Sequence, residues 1–460
     1  MAALAAKILA ARTVGELARR VGRGGGTSLP GRVLLALEPG AIGELSARLE
    51  RGSAVISATN GKTTTATLAA SVLGEAGIRL VHNRAGANMA GGIASTLLQS
   101  FRPGGEIDGE LGLFEVDEFW LDRVLGQLRP RALLLGNLFR DQLDRYGELE
   151  AIAERWAVTV AGLTLPDGLV LNADDPLIAD LGHERAGVSY FGVEDPGMEL
   201  AGMQHASDSK HCRACGAAYR YDAVYLGHLG HYACPGCGRQ RPAPEFVATA
   251  IALAGTRSSS FTLRTPTGDA EVRLPLPGLY NVYNALGAGA LSMALGASLE
   301  QVVAGLERAA AAFGRGETVA VDGVELAILL IKNPAGANEV LRTLALEPGD
   351  LDLLLVLNDL AADGRDVSWV WDADFVPIAP RVRSAVCSGT RAAEMAVRLK
   401  YAGVPRAALS VLPRPGEALD AALGRAPDGR LFVLPTYTGL LAVREELSAR
   451  GHVPEFWRQP

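Results

Sequence analysis

The stretch from Ala54 to Gly77, AVISATNGKTTTATLAASVLGEAG, constrains the fold more than any other part of the chain. A short apolar run ends in the loop Ala58-Thr59-Asn60-Gly61-Lys62-Thr63-Thr64, and a helix-forming stretch follows at once. A strand that feeds a tight loop into a helix N-terminus points backbone N–H groups and the positive end of the helix dipole at one spot. That geometry holds phosphates. Lys62 would reach the β- and γ-phosphates as a point charge, and the Thr63 hydroxyl would ligate Mg²⁺. Thr59, Asn60, Gly61 and Thr64 complete the expected ATP-binding loop. The strict pattern places a further glycine where Ile56 stands, so the loop is a variant. A plain turn bearing a surface lysine is the alternative, and the strand before the loop argues against it.

Short apolar runs and helical stretches continue to alternate to about residue 310, as in RALLLGN followed by DRYGELEAIAERWAV. That alternation predicts a parallel sheet covered by helices. Before it, residues 1–50 read as a lead-in: an amphipathic surface helix near the start, a Gly-rich turn from Gly22 to Gly26, and a strand at Leu34 to Leu37. After Arg315 a second α/β pattern begins, with buried-strand runs ELAILLI and DLDLLLVLND and a closing strand–helix pair in FVLPTYTGLLAVREELSARG. The expected division is therefore 1–315 for a central ATP-binding domain with its lead-in and 318–460 for a C-terminal domain. An insertion is expected at 203–243, where the helical periodicity stops.

Four of the five cysteines lie in that insertion. Cys212-x-x-Cys215-Gly and Cys234-x-x-Cys237-Gly have the spacing of a four-thiolate zinc ribbon, each glycine letting backbone N–H groups approach the sulfurs. Four protein ligands close the site to water, which predicts a structural metal. A redox pair is the competing reading, but one pair would then suffice. His211, His228 and His231 are expected at the surface, and Cys387 as a small buried hydrophobe. The net charge of −7 is spread along the chain and gives no basic footprint for nucleic acid. Lys210, Arg213, Arg220, Arg239 and Arg241 flank the cysteines without forming a dense patch. No run reaches the roughly 18 apolar residues needed to span a bilayer, and a cytoplasmic location is expected.

Further stretches fall in a fixed order after the loop. They are Phe114-Glu115-Val116-Asp117-Glu118, Asn137-Leu138-Phe139-Arg140-Asp141-Gln142, Asn172-Ala173-Asp174-Asp175-Pro176, Gly278-Leu279-Tyr280-Asn281-Val282-Tyr283-Asn284 and Gly314-Arg315-Gly316-Glu317. Together with TNGKT they resemble the ATP-site motifs of the Mur ligase family and of folylpolyglutamate synthases. The chain departs at Ala58, where the family usually carries glycine, and at Gln142 and Tyr280, where it usually carries histidine. The resemblance implies a Mur ligase-type P-loop ATPase domain and a Rossmann-like α/β C-terminal domain. It implies that Glu115 holds Mg²⁺, that Asn281 contacts the adenine side, and that Arg315 faces the terminal phosphate.

The inserted ribbon, Asn83 to Asn88, Lys332 to Glu339 and Asp363 to Trp369 narrow the resemblance to one branch of the family. Its members are synthetase subunits of lipid II isoglutaminyl synthase. That branch implies amidation of the α-carboxylate of D-glutamate in the lipid II stem peptide, at the inner face of the membrane. It also implies a GatD-type glutamine amidotransferase partner that releases ammonia from glutamine. An aspartate of this chain would orient the partner's catalytic histidine: Asp366 is the choice, with Asp363 and Asp372 beside it. Two other readings stay open here. One is a Mur-type ligase that adds an amino acid without a partner, and the other is a non-catalytic binding module with a nucleotide switch.

Overall fold

The computed structural model describes every residue except 1, 21–27, 84–86, 142–148, 205–206, 310–314, 428 and 455–460. The side chains of residues 2, 3, 5, 19, 20 and 315 also lie outside the description. The Gly22–Gly26 turn and Gln142 therefore fall beyond the described residues.

The chain opens with three helices, α1 (Ala2–Arg20), α2 (Leu29–Leu37) and α3 (Ala41–Ser46). The strand expected at Leu34 to Leu37 is thus the end of α2. Pro30 sits in the first turn of this helix, where its missing N–H costs nothing, and Leu34 is fully buried. An apolar run of this length reads as either element, and packing decided it. Gly31 lies so close to α5 (Ala90–Ser100) that a Cβ there would come 1.9 Å from the Gly91 carbonyl. The N-terminal helix forms as expected and runs on to Arg20, burying Leu4, Ile8 and Ala11 on one face.

A nine-stranded sheet follows, in the order β11-β10-β9-β6-β5-β4-β1-β3-β2. Its strands are β1 (Ser53–Ser57), β2 (Leu80–His82), β3 (Leu111–Glu115), β4 (Ala132–Leu135), β5 (Gly168–Asn172), β6 (Val188–Val193), β9 (Phe246–Ala254), β10 (Ser258–Thr265) and β11 (Gly268–Leu274). From β2 to β9 neighbours run parallel, whereas β9, β10 and β11 pair antiparallel. The sheet is therefore mixed where a parallel one was expected. The antiparallel edge comes from two tight connections, because neighbours joined by a few residues can only return alongside.

Alternation along the central strands builds two cores. Ala54, Ile56, Leu113 and Leu134 face one layer, with α4 (Lys62–Glu75), α8 (Leu279–Ala294) and α9 (Leu299–Arg308). Val55, Phe114, Leu133 and Leu135 face the other, with α3, α5, α6 (Leu121–Leu128) and α7 (Leu149–Ala161). A fully buried leucine in either layer contributes about 1.5–3 kcal/mol.

Between β6 and β9 the chain forms a separate antiparallel pair, β7 (Arg220–Leu226) and β8 (Leu229–Ala233). A second sheet of order β12-β13-β17-β14-β15-β16 ends the chain. It comprises β12 (Arg315–Val321), β13 (Val324–Leu329), β14 (Leu351–Val356), β15 (Val382–Ser388), β16 (Leu409–Val411) and β17 (Arg430–Pro435). It is parallel apart from the β12–β13 hairpin. Its helices are α10 (Pro334–Ala345), α11 (Ala392–Ala402), α12 (Pro415–Leu423) and α13 (Tyr437–Ala449). Helix α10 ties the parts together, since Arg342 donates to the carbonyls of Tyr225 and Met198 at 2.8 Å each. Among the described residues no helix is long and apolar enough to cross a membrane.

Candidate active site

Strand β1 parts company with its neighbours here: β3 lies on one side and β4 on the other. The crevice beyond the strand ends at such a point is where parallel sheets bind ligands. The TNGKT loop occupies it. Gly61 begins helix α4 at φ +83°, and a Cβ there would come within 2.1 Å of the Asn284 Oδ1, so only glycine fits. Ala58, the family departure, is accommodated by Gly136: a Cβ at 136 would approach the Ala58 methyl to 3.1 Å.

Lys62 projects inward and is buried, its ammonium 2.6 Å from Glu118 Oε2. Burial opposes its charge, but Glu118, Asp117 and Glu115 together hold it above the ordinary lysine value. The same pairing with Lys62, aided by Lys332, keeps the Glu118 carboxyl below its usual range in spite of burial. Thr63 donates to Glu115 Oε1 at 3.0 Å. Glu115 ends β3, and Asn83 fixes its backbone by accepting its N–H at 2.8 Å and donating to its carbonyl at 2.7 Å. Thr63 and Glu115 thus present two hard oxygen donors side by side at the loop, the donor type that Mg²⁺ takes.

A clasp of asparagines closes the loop from above. Asn60 and Asn137 exchange hydrogen bonds of 2.9 and 3.0 Å, and Asn60 exchanges two more with Asn333 at 2.9 and 3.3 Å. Asn333 also caps α10 by accepting from Gly336 N–H at 2.9 Å. Lys332 donates to the Thr59 carbonyl at 3.1 Å and pairs with Asp141. Between the loop, α8, the β7–β8 hairpin and α10 lies a cleft. Its walls include Tyr280 and Asn284. Asn281, the expected adenine contact, stands behind them and is buried, bonded to Asn284 and to the Pro277 carbonyl.

The four cysteines of the insertion converge, all four Sγ atoms lying within 4.8 Å of one another. Cys212 and Cys237 approach to 3.6 Å and Cys215 and Cys234 to 3.3 Å. Four thiolates about 2.3 Å from a tetrahedral zinc lie about 3.8 Å apart, so the cluster fits such an ion. Tight turns at Gly216 and Gly238 shape it, their N–H groups donating to the carbonyls of Cys212 and Cys234.

The structure thus gathers Thr59, Asn60, Gly61, Lys62, Thr63, Thr64 and Glu115 about the loop, of which Asn60, Gly61 and Thr64 line the cleft. Arg315 begins β12, with its side chain outside the described residues. Asp366 is exposed and accepts from the Ser368 N–H at 2.8 Å. Asp363 is buried and bonded to Thr438 at the start of α13, a helix-end role. Asp372 is half exposed, 4.0 Å from Arg140. His228 was expected at the surface and is instead fully buried, its Nε2 3.3 Å from Asp175 and its ring against Phe139. The hairpin turn drives it inward, and neither ring nitrogen has a hydrogen-bond partner there. Cys387 is buried in β15 as expected. Glu118, Asn137, Lys332 and Asn333 lay in stretches quoted for their resemblance, but no local pattern distinguished these residues.

The family models that match the chain describe a Mur ligase middle domain over residues 56–232 and a MurT ligase C-terminal domain over 330–440. A relative from Streptococcus pneumoniae, lipid II isoglutaminyl synthase (glutamine-hydrolyzing) subunit MurT, is 32% identical, with 96% of each chain covered. The protein of the same name from Staphylococcus aureus is 31% identical over 95% of this chain and 96% of its own. Among solved structures, a pseudomurein peptide ligase type C from Methanothermus fervidus superposes with a TM-score of 0.68 at 22% identity, covering 88% of this chain and 80% of that one. The likeness to the last is one of fold. Identity over nearly the full length of both MurT relatives, together with the two family models, places the chain in the MurT family of Mur ligases.

Proposed function

We propose that this chain is the synthetase subunit of a lipid II isoglutaminyl synthase, forming D-isoglutamine from the D-glutamate of the stem peptide with ATP and ammonia. The observation that carries the reading is a phosphate-type loop whose Lys62 and Thr63 meet acids, beside a cleft that the loop's Asn60, Gly61 and Thr64 line together with the second sheet's α10. It stands in a chain nearly as long as relatives named for that synthase.

A carboxylate resists attack by ammonia because its charge repels the nucleophile and its oxygen leaves poorly. Its oxygen would attack the γ-phosphorus of ATP, ADP would depart, and an acyl phosphate would remain. Ammonia would then add to the acyl carbon and expel phosphate, losing a proton to give the amide. Loop N–H groups, Lys62 and Arg315 would stabilise charge on the transferring phosphoryl group. Thr63 and Glu115 would hold Mg²⁺, whose chemistry there would be neutralisation of phosphate charge.

Ammonia would come from a GatD-type glutaminase partner. In this chain the cysteine outside the cluster, Cys387, is fully buried and its thiol is pushed up to about 12, which unfits it as a nucleophile. The exposed Asp366 is our choice for the residue that orients the partner's histidine. We further assign a structural zinc to Cys212, Cys215, Cys234 and Cys237 in a ribbon spanning 203–243. The division into a central domain, 1–315, and a Rossmann-like domain, 318–460, belongs to the same reading. The subunit would work in the cytoplasm at the inner face of the membrane, where lipid II is presented.

The test mixes the purified chain with lipid II, ATP·Mg²⁺ and ammonium chloride, without a second protein, and follows substrate mass. Conversion of a carboxylate to an amide lowers the mass by about one unit, and that shift should require ATP. No shift, with ATP turnover driven by a free amino acid, would point to an amino-acid-adding ligase instead.

A further inference from the structure

In the α10 wall of the cleft stands an acidic side chain that the proposed reaction does not use. Glu339, on α10, lines the cleft and is 3% exposed. Neither of its carboxyl oxygens has a hydrogen-bond partner. Arg342 is 4.0 Å from Oε1, beyond hydrogen-bond length, and donates to Tyr225 and Met198 instead. Glu339 is the sole acid among the described residues of the cleft wall. Around it the wall is apolar and aromatic: Phe139, Leu226, Leu229, Tyr280, Leu330 and Val340. A buried carboxyl without partners is costly to the fold, and such a group in a cleft lining marks the place where a ligand supplies them.

We propose that Glu339 reads the nucleotide base, its carboxyl taking the hydrogen bonds of the amino edge of a purine and so selecting adenine over 6-oxopurines. The inference rests on the reading of this cleft as the ATP site. Apolar and aromatic walls suit a base, and Asn60, Gly61 and Thr64 of the phosphate loop line the same cleft. Adenine presents an amino donor beside a ring-nitrogen acceptor, whereas hypoxanthine presents a carbonyl oxygen beside an N–H. A neutral carboxyl offers one acceptor and one donor and matches adenine. An ionised one offers acceptors alone and would favour the N–H edge of a 6-oxopurine. Burial lifts the Glu339 carboxyl to about 7, with Arg342 opposing, so the neutral form is within reach.

The test is displacement of a ribose-labelled fluorescent ATP from the full chain, with Mg²⁺, by ATP and by ITP. Wild type should bind ATP at least about tenfold more tightly than ITP. Glu339→Leu should bring the ratio to within about twofold and also raise the thermal midpoint of the nucleotide-free chain, because the unpartnered carboxyl is gone. If leucine is not tolerated, Glu339→Met gives the same readout. A leucine or methionine variant that keeps the wild-type ratio would overturn the assignment. Wild type that binds neither nucleotide, or binds them equally tightly with Lys62→Ala, would overturn the ATP-site reading as well. Those outcomes separate the two failures.

Discussion

The phosphate loop and the α10 wall of the cleft are built on opposite plans. At the loop the functional groups are already paired within the protein: Lys62 with Glu118, Thr63 with Glu115, Asn60 with Asn137 and Asn333. Charge there is pre-arranged, and a nucleotide must displace protein partners to enter. On α10, Glu339 is buried among largely apolar cleft residues and neither carboxyl oxygen has a hydrogen-bond partner. The first plan gives stability without a ligand and exchanges one set of charge pairs for another on binding. The second leaves part of the cost unmet until a base arrives. A pre-paired region holds its geometry between turnovers, while an unpaired one discriminates, because a wrong ligand leaves the orphan group buried.

The contrast can be broken hardest at Lys62. Replacing it with alanine should lower ATP-dependent amidation by about a thousandfold, read by lipid II mass. It should also destabilise the chain by about 3 kcal/mol, because Glu118 is left buried without its counter-charge. Lys62→Met combined with Glu118→Gln should recover stability in urea unfolding but not activity. Recovery of both would mean the pair serves only the fold.

The α10 wall predicts a pH effect of the opposite kind. Folded Glu339 holds its proton to about 7, whereas the unfolded chain releases it near 4.5. The folded state binds more protons in that window, so its stability falls as pH rises through it. Urea unfolding at about pH 5 and about pH 7.5 should show wild type losing on the order of 2 kcal/mol more than Glu339→Leu. Equal losses would mean that the carboxyl is not held neutral. The smallest expected change comes from the clasp between the loop and α10. Asn333→Ala removes the Asn60 contacts and the α10 cap, and should cost about 1 kcal/mol of stability and raise the KM for ATP roughly fivefold. An unchanged KM would detach the clasp from nucleotide binding.

Legibility in the sequence followed the same division. The phosphate loop, the acid at the end of β3 and the paired cysteines were readable because each depends on neighbours a few residues apart, and local order sets which groups share a turn or strand end. The family pattern fixed the helix that carries Asn281, while Tyr280 and Asn284 of the same stretch line the cleft. The segment at 34–37 was misread because a four-residue apolar run suits a strand or a helix alike, and the close approach of Gly31 to α5 settled it. The antiparallel edge of the first sheet and the burial of His228 were likewise outside any local pattern.

By itself, then, the sequence determined the strand–loop–helix that can hold phosphate, the convergence-ready cysteine pairs and the two successive α/β patterns. Only the tertiary structure decided which polar groups complete the site. Asn60 meets Asn333 across 273 residues, and Lys332 reaches Asp141 across 191. Glu339, buried on α10, lines a cleft whose other walls come from the loop, the hairpin and α8. Such meetings depend on how layers pack, and packing is fixed by the burial of the whole chain rather than by the residues that meet.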